Sequence, residues 1–302
     1  MQHEDRFILA GRAARLGIYG NLGLAFIKLF AGIVGRSQAV IADAVNTLSD
    51  IITDVVTILS LKIAKKPIDT KHPYGHGKVE AISAFLVGLF IIVTGVFILF
   101  SAARSVFTHS YVKPELIALL AAFLTVLAKE RMFRYVYKIG REINSPAVMA
   151  KARDHRSDVL ASFSVIVGVT AARLGYPIFD PIAAGLVSFF IIRIGYFALL
   201  NASRQLMDTL PEESTLREIT LISEEIKGVE HVHEVKARYA GQFLLVDIKV
   251  EADPKITVAK GHDIAVEVRR RIMKKMDNVD DVLVHINPYR KHLPHNHPGT
   301  TD

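Results

Sequence analysis

Two pairs of polar residues lie in or beside long apolar stretches of this sequence. Asn46 and Asp50 form one pair, and Asp154 and Asp158 form the other. Each pair has i, i+4 spacing, so on a helix both side chains project from one face about one turn apart. A carboxylate in a membrane helix costs on the order of 3 kcal/mol, and such residues generally mark an ion or proton pathway. Together the four side chains could hold one metal ion.

The donor atoms of these pairs are all oxygens. One Asn carbonyl and three carboxylates form a hard donor set, which suits manganese, whereas imidazole suits zinc, copper and nickel. Three confined carboxylates repel one another and so bind protons in the empty site, and a dication would displace those protons. The alternative is a hydrogen-bond network between helices. We disfavour it because the sequence predicts no Lys or Arg at that depth to compensate three acids.

Other polar residues neighbour the two pairs. Asp43 and Asp54 continue the polar face of the first pair, so they either line an access path or are ordinary acids near helix ends. Lys28, in the first apolar stretch, is predicted to extend its ammonium to the membrane surface. His155 follows Asp154 about 100° around the helix, so we expect it to pack or to orient a ligand rather than bind the same ion.

Six apolar stretches must position these residues. The chain has 302 residues, of which 51% are hydrophobic, with no Cys or Trp. The stretches approach the ~20 residues that cross a bilayer. They run Leu16 to Val34, Ala39 to Ile63, Ala81 to Val106, Leu116 to Lys129, Val159 to Leu174 and Ile178 to Leu200. Charged residues begin early at Lys129, so the fourth helix is predicted to leave the bilayer there and continue into water.

The basic residues indicate the orientation. Lys and Arg are concentrated before the first stretch and in the loops after the second and fourth. By the positive-inside rule, both termini are cytoplasmic in a multi-pass protein of the cell (inner or plasma) membrane. The net charge of +7 then reflects topology and contact with anionic lipid head groups. Because the basic residues are dispersed among membrane-flanking loops, we expect no nucleic-acid partner.

The sequence becomes soluble in character after Asp208. A helical repeat from Leu216 to Ile226 precedes two alternating stretches, Val229 to Tyr239 and Phe243 to Glu251. Helix Val258 to Met276 and strand Val282 to Ile286 complete an αββαβ order, which predicts a small ferredoxin-like α+β domain. We therefore divide the chain into a six-span all-α membrane domain (1–208), a cytoplasmic domain (209–290) and a disordered tail (291–302) containing His292, His295 and His297.

Three motifs carry a family resemblance. They are Ala42 to Asp50 in the second stretch, Asp154 to Asp158 in the fifth, and His72 to Glu80 before the third. With this topology, the chain resembles the cation diffusion facilitator family of proton-coupled divalent-metal exporters. The resemblance implies a homodimer that exchanges metal for protons while its helices alternate between inward-open and outward-open states, with no organic cofactor.

The resemblance also implies the ligands of the transported ion, which carry over to Asn46, Asp50, Asp154 and Asp158. Zinc-selective members place His at the first position of the second pair, where this chain has Asp154. We therefore predict Mn(II) as the transported metal. Fe(II) and Zn(II), and also Cd(II) and Co(II), stay open as alternatives, because affinity at a divalent site tends to rise from manganese toward copper.

Further sites follow from the resemblance. Asp69, His72 and His76 match an accessory metal site, although Gly75 and Gly77 would also fit a tight turn in which His76 bonds the backbone. The family's salt bridge between the membrane and soluble domains carries over to a Lys78–Asp208 pair.

The soluble domain carries the family's third site. Histidines at the positions of His233, His262 and His285 bind regulatory metal across the dimer interface. Here Lys249 and Asn287 replace two common ligands, so the domain either binds metal weakly, with Asp247 or Glu251 recruited, or only dimerises. Strict strand alternation places His231 on the same face as His233.

Other functional classes were weighed against a carrier. An enzyme is disfavoured because the sequence has no nucleophile elbow, P-loop or HExxH motif. A metal-gated channel could use the same acidic residues to line a pore. A metal sensor that signals through its soluble domain is a third alternative.

Overall fold

The protein is described by a computed structural model, which covers residues 3–66, 69–142, 146–241 and 243–289. The chain begins with six long helices: α1 (His3–Val34), α2 (Gln38–Ala64), α3 (Lys78–Phe107), α4 (Leu116–Glu142), α5 (Pro146–Arg173) and α6 (Phe179–Leu206). It continues with α7 (Glu213–Glu224), β1 (His231–Ala240), β2 (Phe243–Ala252), α8 (Val258–Lys275) and β3 (Val279–Pro288). The predicted tail at 291–302, with its histidines, lies outside the described residues.

Each of the six predicted spans falls within a long helix to within one residue, since only Leu174 and Ile178 lie just outside α5 and α6. Among the described residues, four helices are long and apolar enough to cross a membrane by composition alone, namely α1 from Arg15, α2, α3 and α6. Helices α4 and α5 do not qualify, because each carries a charged half: α4 has charged residues from Lys129 onward, and α5 has all of them but Arg173 before Val159. The predicted fold class is confirmed, and the charged halves of α4 and α5 bear on the site described below.

Small residues let α3 and α6 approach closely. A Cβ atom at Gly88 would lie 2.9 Å from the backbone nitrogen of Leu199 and 3.0 Å from the carbonyl oxygen of Gly195. Such close crossings are typical of membrane helices, which gain little from burying apolar surface because the lipid is equally apolar. Large apolar side chains on the outer faces are exposed, with Phe97 at 73% and Phe26 at 69%. These outer faces suit contact with lipid.

The start of α2 is fixed by an acid from α6 that we did not predict. Ser37 Oγ donates a 2.5 Å hydrogen bond to Asp180 Oδ1, and the Gln38 amide donates to Asp180 Oδ2 at 2.6 Å. Ser37 Oγ also accepts from the Val40 amide at 3.2 Å. The free amides at a helix N-terminus need such acceptors when buried. This anchor holds the helix that carries Asn46 and Asp50.

Lys28 and Asp43 form a buried ion pair, so two predictions about them are not supported. Lys28 Nζ lies 2.8 Å from Asp43 Oδ2, donates to Thr47 Oγ1 at 2.9 Å, and is only 1% exposed. Both Asp43 oxygens also accept from Ser162 Oγ, at 3.1 and 3.0 Å. Lys28 does not reach the membrane surface, because its ammonium finds a carboxylate inside the bundle. Asp43 links α1, α2 and α5 rather than lining an access path.

The C-terminal domain has the predicted αββαβ order. Its sheet has the strand order β1-β2-β3, with β1 and β2 antiparallel and β2 and β3 parallel. Gly241 forms the β1–β2 turn at a φ of 67°, a left-handed value that favours glycine. The α8 crossover covers the sheet. The core side chains come from both helices and all strands, among them Ile219, Ile222, Val246, Ile248, Val268, Ile272 and Val282.

The described chain divides into two compact units. One contains Met1–Leu59 and Ser83–Leu200, and the other contains Ser60–Ile82 and Asn201–Asp302. The α2–α3 loop therefore groups with the C-terminal part, which differs from a simple division at residue 208. The reason is local contact: a Cβ at Gly77 would overlap the carbonyl of Ala240, and Lys78 Nζ lies 3.0 Å from Asp208 Oδ1.

Candidate metal transport site

The four residues of the two predicted pairs line one cavity among the long helices. The cavity has a volume of about 800 Å³, and its polar lining includes Asn46, Asp50, Asp154 and Asp158. Asn46 is buried, Asp50 and Asp158 are half-buried, and Asp154 is exposed. Because α2 and α5 each present one i, i+4 pair, a single interhelical space receives all four side chains. The structure thus brings the predicted ligands to one place.

The carboxylates of this cavity have a cationic neighbour from α4. Lys129 Nζ lies 2.5 Å from Asp158 Oδ2 and 4.0 Å from Asp50 Oδ2. The Lys129 side chain is fully buried, at 0% exposure. The expectation that no Lys or Arg compensates the acids at that depth is therefore wrong. The helix continues to Glu142, but Lys129 is on its buried face.

A second lysine pairs with an acid in the same cavity. Lys151 Nζ lies 2.8 Å and 2.9 Å from the two oxygens of Asp54. Both residues line the cavity with the four predicted ligands. Asp54 therefore lines the cavity, as an access-path residue would, whereas Asp43 is not among the lining residues.

His155 is buried beside the predicted ligands and lines the same cavity, with 1% of its surface exposed. Neither ring nitrogen has a hydrogen-bond partner among the described residues. A Cβ at Gly17 would lie 3.8 Å from His155 Nε2, so α1 packs closely against the ring. This geometry agrees with the packing role that the helical spacing predicts.

The four predicted ligands do not yet form a closed cage. Among the described residues, the only group of at least three His or acidic side chains with ligand atoms all within 4.8 Å is Asp69, His72 and His76. At the transport site, the ammonium of Lys129 occupies one side of Asp158 instead. A metal bound there would have to draw the carboxylates together and compete with this ammonium.

The loop triad is well formed. His72 Nδ1 lies 3.0 Å from Asp69 Oδ1, and His76 Nε2 lies 3.4 Å from Asp69 Oδ2. Hydrogen bonds from the His72 backbone amide, the His72 side chain and the Lys71 amide lower the pKa of the Asp69 carboxyl, so it stays ionised. Gly75, at a φ of 79°, makes the expected turn. His76 Nδ1 is buried without a hydrogen-bond partner among the described residues, so this nitrogen does not bond the backbone.

Two protein-family models match this chain. The family model described as the cation efflux transmembrane domain matches residues 14–207, and the model described as the cation efflux protein, cytoplasmic domain, matches residues 211–289. The chain belongs to the cation efflux family. It is a membrane transporter of metal cations, and its family is one of transporters rather than enzymes. The family resemblance inferred from the three motifs is confirmed.

Several curated relatives of this cation efflux protein align over most of their length. The manganese efflux system proteins MneP and MneS of Bacillus subtilis are 33% and 31% identical over 95% of this chain, covering 98% and 99% of their own. The magnetosome protein MamB of Paramagnetospirillum magneticum is 33% identical over 87% of this chain and 90% of its own. A solved MamM CTD in a cadmium form covers 26% of this chain at 26% identity, with a TM-score of 0.26. The cytoplasmic domain is therefore assigned from the family model.

The three predicted histidines of the cytoplasmic domain are on three different elements. His233 is on β1, His262 is exposed on α8, and His285 is exposed on β3. No cluster containing them meets the metal-site distances among the described residues. His233 Nδ1 instead lies 3.4 Å from Glu251 Oε1. Their role as regulatory ligands stays a prediction.

Lys249 is engaged elsewhere in this cation efflux protein. Its Nζ lies 2.7 Å from Glu234 Oε2, and Lys236 Nζ lies 2.9 Å from Oε1. The hydrogen bonds from Lys249 and Lys236 lower the pKa of the Glu234 carboxyl to about 2. Lys249 pairs in register with His285, so a positive charge neighbours that histidine and opposes metal binding there.

A β-bulge alters the predicted alternation of β1. The register with β2 shifts between Val232 and Glu234, which makes His233 the extra residue. A bulge inserts one residue and re-aims side chains, so strict alternation no longer relates His231 to His233. The prediction that they share a face therefore lacks its basis.

Sequence reasoning missed the position of Lys129, although a signal existed. The buried face of α4 includes Ala118, Ala122, Thr125, Lys129, Met132 and Val136. These residues recur every three or four positions, as a buried helix face requires. Lys129 continues a stripe of small and apolar residues and so belongs to the interior.

Proposed function

We propose that this protein exports Mn(II) from the cytoplasm, with Asn46, Asp50, Asp154 and Asp158 as the ligands of the transported ion. The observation that carries the proposal is that one cavity receives all four side chains. Their donors are oxygens, which suit manganese. The names of the relatives MneP and MneS as manganese efflux proteins support the same metal. Zn(II) and Fe(II) are the competing cargoes.

We propose further that metal moves outward in exchange for protons. Metal and protons compete for the same carboxylate oxygens, so occupancy by one excludes the other. Alternating access to the cavity from the two sides of the membrane would then couple the two fluxes. This proposal also places both termini in the cytoplasm. It further includes a homodimer that is joined through the cytoplasmic domain. In it, the Lys78–Asp208 ion pair stabilises the dimer.

The choice of metal is tested by Asp154→His. This substitution places an imidazole at the first position of the second pair, and imidazole favours zinc. We expect the ratio of Zn(II) to Mn(II) transport to rise by at least about tenfold, because changing even an outer-shell partner of a metal ligand alters affinity by about 10- to 100-fold. The measurement is competitive flux of Mn(II), Zn(II), Fe(II) and Cd(II) into proteoliposomes.

The same assay tests the transport mechanism. A saturable flux that depends on the pH gradient and alters lumenal pH supports a proton-coupled carrier, whereas rapid ohmic current would indicate a channel. Absence of flux would indicate a sensor. A wild-type protein that prefers zinc, with Asp154→His changing nothing, would contradict the hard-donor argument. Asp154→Asn serves as the matched control, because it changes the ligand without adding imidazole.

We propose that Asp69, His72 and His76 bind a second metal ion, for which imidazole and carboxylate ligands suit zinc or manganese. Three donors already lie within 4.8 Å of one another. His76→Ala should weaken binding at this site by about tenfold or more, because losing a direct ligand should cost at least as much as losing an outer-shell partner. The measurement is calorimetric Zn(II) binding to the full chain carrying Asp158→Asn. His109→Ala, a loop histidine outside the triad, should bind as the parent does; equal binding by His76→Ala would contradict the site.

A further inference from the structure

The ammonium of Lys129 contacts the metal-binding carboxylates from α4. It lies within 4.0 Å of two of them, Asp158 and Asp50, which come from different helices. The side chain is fully buried, so neither water nor lipid head groups neutralise it. A buried ammonium persists only when carboxylates of this kind surround it. Lys129 is therefore part of the charge balance of the cavity.

Among the described residues, the other cations of the cavity lie beyond ion-pair distance of the proposed ligand carboxylates. Lys151 neutralises Asp54 by contacting both of its oxygens. Arg193 lines the cavity, but its guanidinium lies 5.1 Å from the centre of the Phe197 ring, and it forms no ion pair with an acid among the described residues. Lys129 is thus the cation that contacts the ligand carboxylates directly.

The formal charges then match one class of cargo. The ligand set contains three carboxylates, and Lys129 contributes one positive charge. With all three carboxylates ionised, and counting only this directly contacting cation, two negative charges remain, which one divalent cation neutralises. Without Lys129, three negative charges would remain and would favour a trivalent ion or bind a divalent ion too tightly to release it. The ammonium also occupies one side of Asp158, where an entering metal must displace it.

We propose that Lys129 is a tethered counter-cation that sets the charge selectivity of the transport site. In the empty site, its ammonium contacts Asp158 and Asp50 and supplies part of the positive charge that the metal would bring. When a divalent ion binds, the ion displaces the ammonium from Asp158, and the remaining positive charge limits affinity and favours release. This inference rests on the proposed function, because it takes Asn46, Asp50, Asp154 and Asp158 as the ligands.

The test is equilibrium binding of Mn(II) and Tb(III) to the purified full-length protein. For the wild type, binding at the site is the binding that is lost in Asp158→Asn. For Lys129→Met, it is the binding that is lost in Lys129→Met/Asp158→Asn. We expect Lys129→Met to raise Mn(II) affinity by about tenfold and Tb(III) affinity by more, since each gains one unopposed negative charge. In proteoliposomes, both the KM for Mn(II) and the maximal rate should fall, because release slows. Lys129→Arg keeps the charge and should retain the wild-type preference.

A charge-compensated variant separates charge from packing. Lys129→Met/Asp54→Asn frees Lys151 from its ion pair and restores the balance of three carboxylates and one ammonium. The preference for Mn(II) over Tb(III) should return toward the wild-type value. Lys28→Met/Asp43→Asn removes a buried ion pair outside the cavity and should leave this preference unchanged. If Lys129→Met does not fold, Lys129→Gln carries the same prediction.

The outcomes distinguish the two proposals. If the wild type shows no site binding that depends on Asp158, the proposed ligand set is wrong. If the wild type binds Mn(II) but Lys129→Met and Lys129→Gln leave the Mn(II)-to-Tb(III) preference unchanged, Lys129 does not set charge selectivity. Weaker Mn(II) binding in folded Lys129 variants would equally overturn the inference.

Discussion

Replacing Asp158 with Asn should reduce Mn(II) flux by about a hundredfold and also destabilise the protein. The substitution removes one charged ligand, and a loss of about 3 kcal/mol corresponds to roughly this factor. It also removes the carboxylate that lies 2.5 Å from the fully buried Lys129. An uncompensated buried charge costs about 3–5 kcal/mol. The measurements are the initial rate of Mn(II) uptake per folded protein in proteoliposomes and thermal unfolding in detergent.

A double variant separates these two effects. Lys129→Met/Asp158→Asn removes both members of the ion pair, so its stability should recover toward that of the wild type. Its flux should stay low, because the ligand carboxylate is still missing. If Asp158→Asn transported Mn(II) at more than half the wild-type rate, Asp158 would not be a ligand of the transported ion.

Replacing Asp43 with Ala should be among the most destabilising changes in the membrane domain. Lys28 would be left 1% exposed, without the carboxylate that lies 2.8 Å from its ammonium. Ser162 would lose its acceptor as well. Breaking one side of a buried ion pair costs about 3–5 kcal/mol, whereas replacing both members is often close to neutral. The free energy of unfolding should therefore fall by about that amount, as measured by denaturation in mixed micelles.

The matched control is Lys28→Met/Asp43→Asn, which removes both charges and should recover most of the stability. This variant also tests whether Asp43 takes part in transport. Because Asp43 does not line the cavity, Mn(II) flux per folded protein should stay close to that of the wild type. If the double variant were stable but its Mn(II) flux were strongly reduced, Asp43 would be assigned to the access path.

Much of the fold could be predicted because the relevant signals are local. Apolar stretches near the length of a membrane span predicted the six long helices, and period-two alternation predicted β1 and β2. The glycine between these strands predicted their turn, since a positive φ favours that residue. The sequence predicted the structure less well where the pairing of two strands is irregular. The bulge at His233 follows from the register with β2, which the β1 sequence alone does not specify.

The sequence by itself determined the residue types of the proposed transport site and their i, i+4 spacing, because the helical repeat fixes which side chains share a face. Only the tertiary structure decided which cations oppose these acids. The pairings Lys129–Asp158, Lys151–Asp54 and Lys28–Asp43 join different helices across 29, 97 and 15 positions. No local repeat relates residues on separate helices, so their distances depend on how the helices pack. That packing places Lys129 among the carboxylates and makes the charge of the empty site a property of the folded bundle.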